Sequence, residues 1–103
     1  MKVTVHGGTH LGIVGCYGQK TFELFGKRTD IRDELRELIQ EDSVGSNYNL
    51  KGAEFHKGRL VTDWENTSGA VRRVKETEDK DYFYWENKDG EILFECRIVK
   101  VEV

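Results

Sequence analysis

The 103-residue chain contains no proline, only two cysteines and a single methionine. Without proline, turns must be made by Gly, Asn, Asp and Ser, and the eleven glycines supply most of them. Cys16 and Cys96 stand far apart and do not make the disulfide framework of a small secreted domain. Free, buried thiols are the expected state. No stretch approaches the roughly 18 consecutive apolar residues of a membrane span. Glycine and histidine interrupt residues 6–12, so the opening does not read as a signal peptide. A cytoplasmic protein with no membrane partner is expected.

A large charge of one sign is also missing. The net charge of -3 and a pI near 5.6 give little bulk attraction for nucleic acid or anionic membrane. The charge is unevenly placed. Lys2, Lys20, Lys27 and Arg28 face only Glu23 within residues 1–28, whereas the rest of the chain is net acidic. A small anion would therefore find its one favourable field near the glycine-rich opening. Repeats, low-complexity tracts and linkers are absent, and the length is that of one domain, residues 1–103.

What is present reads as α+β. Lys2–His6 alternates with Val3 and Val5 on one face, which is the pattern of a half-buried strand. Leu11–Tyr17 and Thr21–Phe25 are two further strand candidates, with Gly7-Gly8 and Gly18-Gln19 as the turns of an N-terminal β-meander. A single amphipathic helix is expected at about residues 30–42. Thr29 or Asp30 caps it, Asp33 and Glu34 lie in its first turn, and Ile31, Leu35, Leu38 and Ile39 form one apolar stripe. Gly45 is its terminator. Tyr48–His56 and Arg59–Glu65 then flank Lys57-Gly58 as a compact hairpin. Ala70–Thr77 is another strand, with Glu78–Asp81 as a connection after it. The turn Asn87-Lys88-Asp89-Gly90 joins Tyr82–Glu86 to Glu91–Val103 in the clearest of the C-terminal β-hairpins. Ile98 beside Val99 breaks the alternation of the last strand and predicts a bulge. One helix on a mostly antiparallel sheet, or on a partly closed barrel, satisfies this order.

Chemistry is harder to place. Gly7, Gly8, Gly12, Gly15 and Gly18 read first as turn and bend residues. As a ligand loop, the same stretch would use His6, Gly7, Gly8, His10 and Lys20, with exposed N–H groups and one cation around a small anion or nucleotide. "FGKRT" lacks the upstream glycine and the Ser/Thr after lysine that a phosphate loop needs. His6, His10, Cys16, His56 and Cys96 carry zinc-binding atoms, but without CxxC or one-face histidine spacing no metal and no cofactor is expected. Cys16 beside His6 or His10 is the one local arrangement for a nucleophile, and no G-x-S-x-G elbow exists.

Tyr82, Phe83, Tyr84 and Trp85 run consecutively, so two of them point to each face of a sheet. An outward pair would build a protein interface or, as another alternative, a platform for single-stranded RNA. Acidic neighbours and the lack of an RNP motif weigh against RNA. The preferred expectation is a small non-enzymatic binding protein acting through a protein–protein surface. Tyr82, Tyr84 and Trp85 on the hairpin and Glu37 and Glu41 on the helix would meet the partner. In size and texture the chain is similar to short inhibitor or accessory proteins of phages and mobile elements. The alternative is a small-molecule or nucleotide-binding domain built on the glycine-rich opening. A homodimer across an exposed sheet edge is the third arrangement.

Overall fold

The structure, a computed structural model, describes residues 1–9, 18–45, 49–67 and 70–103, and of residues 9, 59–67 and 70–78 the backbone alone. The chain runs β1 (Lys2–Thr9), β2 (Gly18–Glu23), α1 (Ile31–Ser43), β3 (Glu54–Thr67), β4 (Ala70–Glu86) and β5 (Ile92–Glu102). The strands form one antiparallel sheet in the order β2-β1-β5-β4-β3. The sheet is open, with β2 and β3 at its edges, so the α+β expectation holds with an open sheet in place of a barrel. Among the described residues no helix is long and apolar enough to cross a membrane.

The helix begins where the caps predict. Asp30 is the N-cap, in extended conformation, and its carboxylate accepts from the Arg32 backbone N–H at 2.9 Å. Leu35 and Ile39 of the apolar stripe are fully buried, and Ile31 and Leu38 are partly so. They cover Val3, Val5, Phe22, Phe83, Trp85, Phe94, Cys96 and Ile98 on one face of the sheet. Truncating a side chain as buried as Leu35 to alanine costs about 2–5 kcal/mol in cores of this kind.

Two lysines tie the ends of α1 to opposite edges of the sheet. Lys57 of β3 reaches Asp30 at 3.3 Å and Asp33 at 3.1 Å, and Lys20 of β2 reaches Asp42 at 2.9 Å. A 13-residue helix is about 20 Å long, and five strands span four spacings of about 4.8 Å. One helix is therefore just long enough to reach from one edge of this sheet to the other. Glu34, turned back under the helix, accepts from the backbone N–H groups of Phe25 at 2.7 Å and Lys27 at 2.9 Å. It thereby fixes the segment that leads into α1.

Three expected turns are strand instead, the first being Gly18-Gln19, which opens β2 opposite Gly7 and His6 of β1. Gly7 and Gly8 lie within β1, opposite Cys96 and Glu95 of β5. Glycine is needed at residue 7 for close approach, since a Cβ there would stand 3.0 Å from both Cys96 Sγ and Phe94 Cζ. Lys57-Gly58 also closes no hairpin, because β3 runs through it. Its register passes from Lys57↔Phe83 directly to Arg59↔Glu78, so residues 79–82 of β4 bulge opposite Gly58 alone. Gly58 is buried and has φ 76°, a left-handed conformation that glycine adopts without strain. The expected connection at Glu78–Asp81 is thus a bulge inside a continuous β4. The middle strand expected at Leu11–Tyr17 lies outside the described residues.

The remaining punctuation is as expected. Gly45 follows α1 at φ 82°, and Val99 is the extra residue where the β1–β5 register shifts. The Asn87–Gly90 turn is held by the Asn87 side chain, which accepts from the N–H groups of Asp89 at 2.9 Å and Glu91 at 3.0 Å.

Two outcomes follow from these contacts. Gly7→Ala forces Phe94 or the Cys96 side chain to move, and overpacking of this kind should lower stability by about 1–3 kcal/mol in urea denaturation. The acid limb is the second. Bonds from Arg32 hold the Asp30 carboxyl down at about 2, and backbone N–H groups hold that of Glu34 below the ordinary glutamate value. Both groups bind protons less readily folded than unfolded. Their contribution is complete above the ordinary carboxylate range and fades as pH falls through it. Asp30→Asn should therefore lower stability at neutral pH and flatten the pH dependence of the melting temperature on the acid side. An unchanged acid limb would show that the Asp30 cap does not contribute.

Candidate functional site

Among the described residues no helix covers the sheet face opposite α1. Alternation along the strands places His6 and Gly8 of β1, Glu95 and Arg97 of β5, Tyr82, Tyr84 and Glu86 of β4, and Glu54 and His56 of β3 on this side. A hollow of about 330 Å³ lies across β1, β5 and β4, with His6, Gly7, Gly8, Tyr82, Glu95 and Arg97 in its lining. Gly8 helps to form it by presenting no side chain opposite Glu95.

The polar groups around the hollow are tied together. Tyr82 donates its phenolic hydrogen to a Glu95 carboxylate oxygen at 2.6 Å. Burial first, and then this bond, push the Tyr82 phenol well above the ordinary tyrosine range. The Arg97 guanidinium lies 6.0 Å from the Tyr82 ring centre and donates to Asp79 at 2.5 Å. Asp79 in turn accepts from the backbone N–H of Asp81, and that bond together with Arg97 holds its carboxyl below the usual value. Asp79 lies in the bulge opposite Gly58, so the β4 irregularity delivers the counterion for Arg97.

A second cluster sits at the β3 side of the same face. His56 stacks on Tyr84 with ring centres 5.0 Å apart and planes 16° from parallel. Its Nε2 is 2.9 Å from a Glu86 oxygen and 3.8 Å from a Glu54 oxygen. Among the described residues this is the one set of three or more His, Cys, Asp or Glu side chains whose ligand atoms converge.

The residues singled out from sequence divide accordingly. His6, Gly7 and Gly8 come together at the hollow. Lys20 does not join them, because it points to the helix side of the sheet, where it bonds Asp42 and lies 5.3 Å from the Phe22 ring centre. His10 and Cys16 are outside the described residues. Cys96 is free and buried, and burial pushes its thiol up, which leaves it inert as a nucleophile.

The aromatic run alternates as expected but leaves no outward platform. Phe83 and Trp85 lie under α1, and Trp85 is 0% exposed. Tyr82 and Tyr84 occupy the other face, yet they are only 9% and 5% exposed. Glu37 and Glu41 are exposed on α1, with Glu37 accepting from Arg28 Nε at 3.0 Å. Sequence reasoning missed Glu95 and Arg97. Their shared parity in β5 was readable, but the β1–β5 pairing that sets them beside His6 was not.

No family model, curated protein or solved structure matches the chain.

The Tyr82–Glu95 bond is testable by itself. Tyr82→Phe removes the donor from a half-buried carboxylate and should cost about 1–3 kcal/mol in chemical denaturation. In the wild-type protein, alkaline titration followed by tyrosine absorbance should show the Tyr82 phenol ionising only as the protein unfolds. This delayed phenol should be missing in the variant.

Proposed function

We propose that the protein is a small non-enzymatic binding protein acting through a protein–protein surface, and that this surface is the far part of the β3–β4 ribbon. The observation that carries the reading is where strand pairing stops. β4 pairs with β5 only from Tyr82↔Arg97 to Glu86↔Ile92, whereas β3 and β4 go on pairing with each other from Arg59↔Glu78 to Thr67↔Ala70. Beyond the Gly58 bulge the ribbon is two strands wide among the described residues. A 14-residue strand spans about 46 Å, close to the 48 Å longest dimension of the molecule, whose other two are 29 and 22 Å.

A two-stranded ribbon is marginal in water when nothing packs against it. A partner surface laid along it, or a strand added to its edge, supplies the missing burial. Glu37 and Glu41 on the outer side of α1 offer an acidic second contact. A domain this small acts on such a partner most simply by covering the partner's own working surface, which makes it an inhibitor.

The test is an excision. Arg59 and Glu78 are paired, so removing Leu60–Thr77 and joining them through Asn-Gly leaves a two-residue hairpin turn. The shortened protein should keep its cooperative melt and lose the partner that the full chain captures from cytoplasmic extract. Capture of the same partner by the shortened chain would remove the ribbon as the surface. Loss of the fold would show that the ribbon belongs to the core.

A second reading rests on the hollow, where His6, Gly7 and Gly8 meet Arg97 and Tyr82. At about 330 Å³ it is at the small end for ligand pockets and suits a compact polar molecule. Under this reading, native mass spectrometry finds a co-purifying small molecule that Gly8→Val expels. A wild-type mass equal to that of the bare chain would eliminate it.

A further inference from the structure

We propose that Glu54, His56 and Glu86 form a binding site for a first-row divalent cation of the zinc type. Glu54 and His56 are two apart on β3 and share a face, and Glu86 stands directly opposite Glu54 across the strand pair. Like charges in directly opposed positions destabilise a sheet unless a cation lies between them. The strand register therefore creates the charge that a metal would neutralise.

The geometry of the donor atoms agrees. Ligand atoms about 2.0–2.2 Å from a tetrahedral zinc ion stand about 3.3–3.6 Å from one another. His56 Nε2 lies 2.9 Å from Glu86 and 3.8 Å from Glu54, values on either side of that separation, and all three donor atoms fall within 4.8 Å. His56 Nε2 is shielded from solvent, and despite its closeness to Glu86 it makes no hydrogen bond among the described residues. Shielded from solvent and set between two carboxylates, this nitrogen adds one imidazole donor to the two oxygen donors a cation would meet. Stacking on Tyr84 holds the ring in this orientation. One imidazole and two carboxylates suit zinc and its neighbours, neutralise the ion and leave a fourth position open.

The probe is zinc alone, added to tag-free, metal-stripped protein and followed by isothermal titration calorimetry and by the ring resonances of His56 in NMR. One zinc per chain is expected, with the His56 signals shifted on binding. His56→Gln should abolish binding. Glu54→Gln should weaken it while melting no lower than wild type without metal, because Glu54 is 72% exposed and its loss removes a like charge opposite Glu86. Cobalt in place of zinc should give the visible absorption of a low-coordinate site in wild type and none in His56→Gln. No zinc uptake by the wild-type protein would overturn the proposal. So would uptake that survives both substitutions or leaves the His56 signals unmoved, since the metal would then sit elsewhere.

Discussion

One open sheet must be covered by one helix, and most of the structure answers to that constraint. Trp85, Phe83 and Phe94 are large, fully buried and spread over β4 and β5. The helix has to lie across the sheet rather than along one strand, or part of this aromatic surface would meet water. Helix length and sheet width match at about 20 Å, so a slip of one turn, about 5.4 Å, would uncover an edge. Lys57 and Lys20 therefore act as position markers as much as sources of binding energy. Exposed ion pairs contribute little each, but together these two distinguish the observed crossing from a shifted one.

The opposite face solves its exposure differently. It sinks two tyrosines among charged groups that pair with one another. Tyr82 bonds Glu95, Arg97 lies by Tyr82 and bonds Asp79, and His56 stacks on Tyr84. These groups come from β3, β4 and β5, so the network locks register. A one-residue slip of β4 would turn Tyr82 and Tyr84 toward α1 and bring Phe83 and Trp85 out among the charges. Tyrosine is suited to this face because its ring covers the sheet while its hydroxyl remains in the polar layer.

What was legible in the sequence was local. The α1 boundaries came from Asp30, the Leu35–Ile39 stripe and Gly45, all of which act within a few residues of themselves. The Asn87–Gly90 turn was equally plain, because its hydrogen bonds close within five residues. Gly7 and Gly58 were misread for the same reason. A glycine signals missing side-chain bulk or freedom of φ, and turn, bulge and close approach all use it. Only the partner strand decides, and at Gly7 that partner is Cys96, 89 residues later in the chain. The candidate sites suffered likewise: His6 was visible, but Arg97 beside it depends on β5 returning to pair with β1, and Glu86 beside His56 depends on the β3–β4 register.

The Gly58 bulge links these two scales. Four residues of β4 against one of β3 make a discontinuity that a regular ladder would not tolerate, and it falls where the five-strand body ends. On the body side it turns Asp79 back to Arg97 and completes the polar layer. On the other side it releases the ribbon from pairing with β5. Bulges sharpen the local bend and twist of a strand, so the residues that neutralise Arg97 also set the angle at which the ribbon leaves the sheet. Stability of the body and presentation of the ribbon are coupled at this one point. A side chain at Gly58 would strain both, because the left-handed backbone there is part of the bulge and is enclosed by the structure around it.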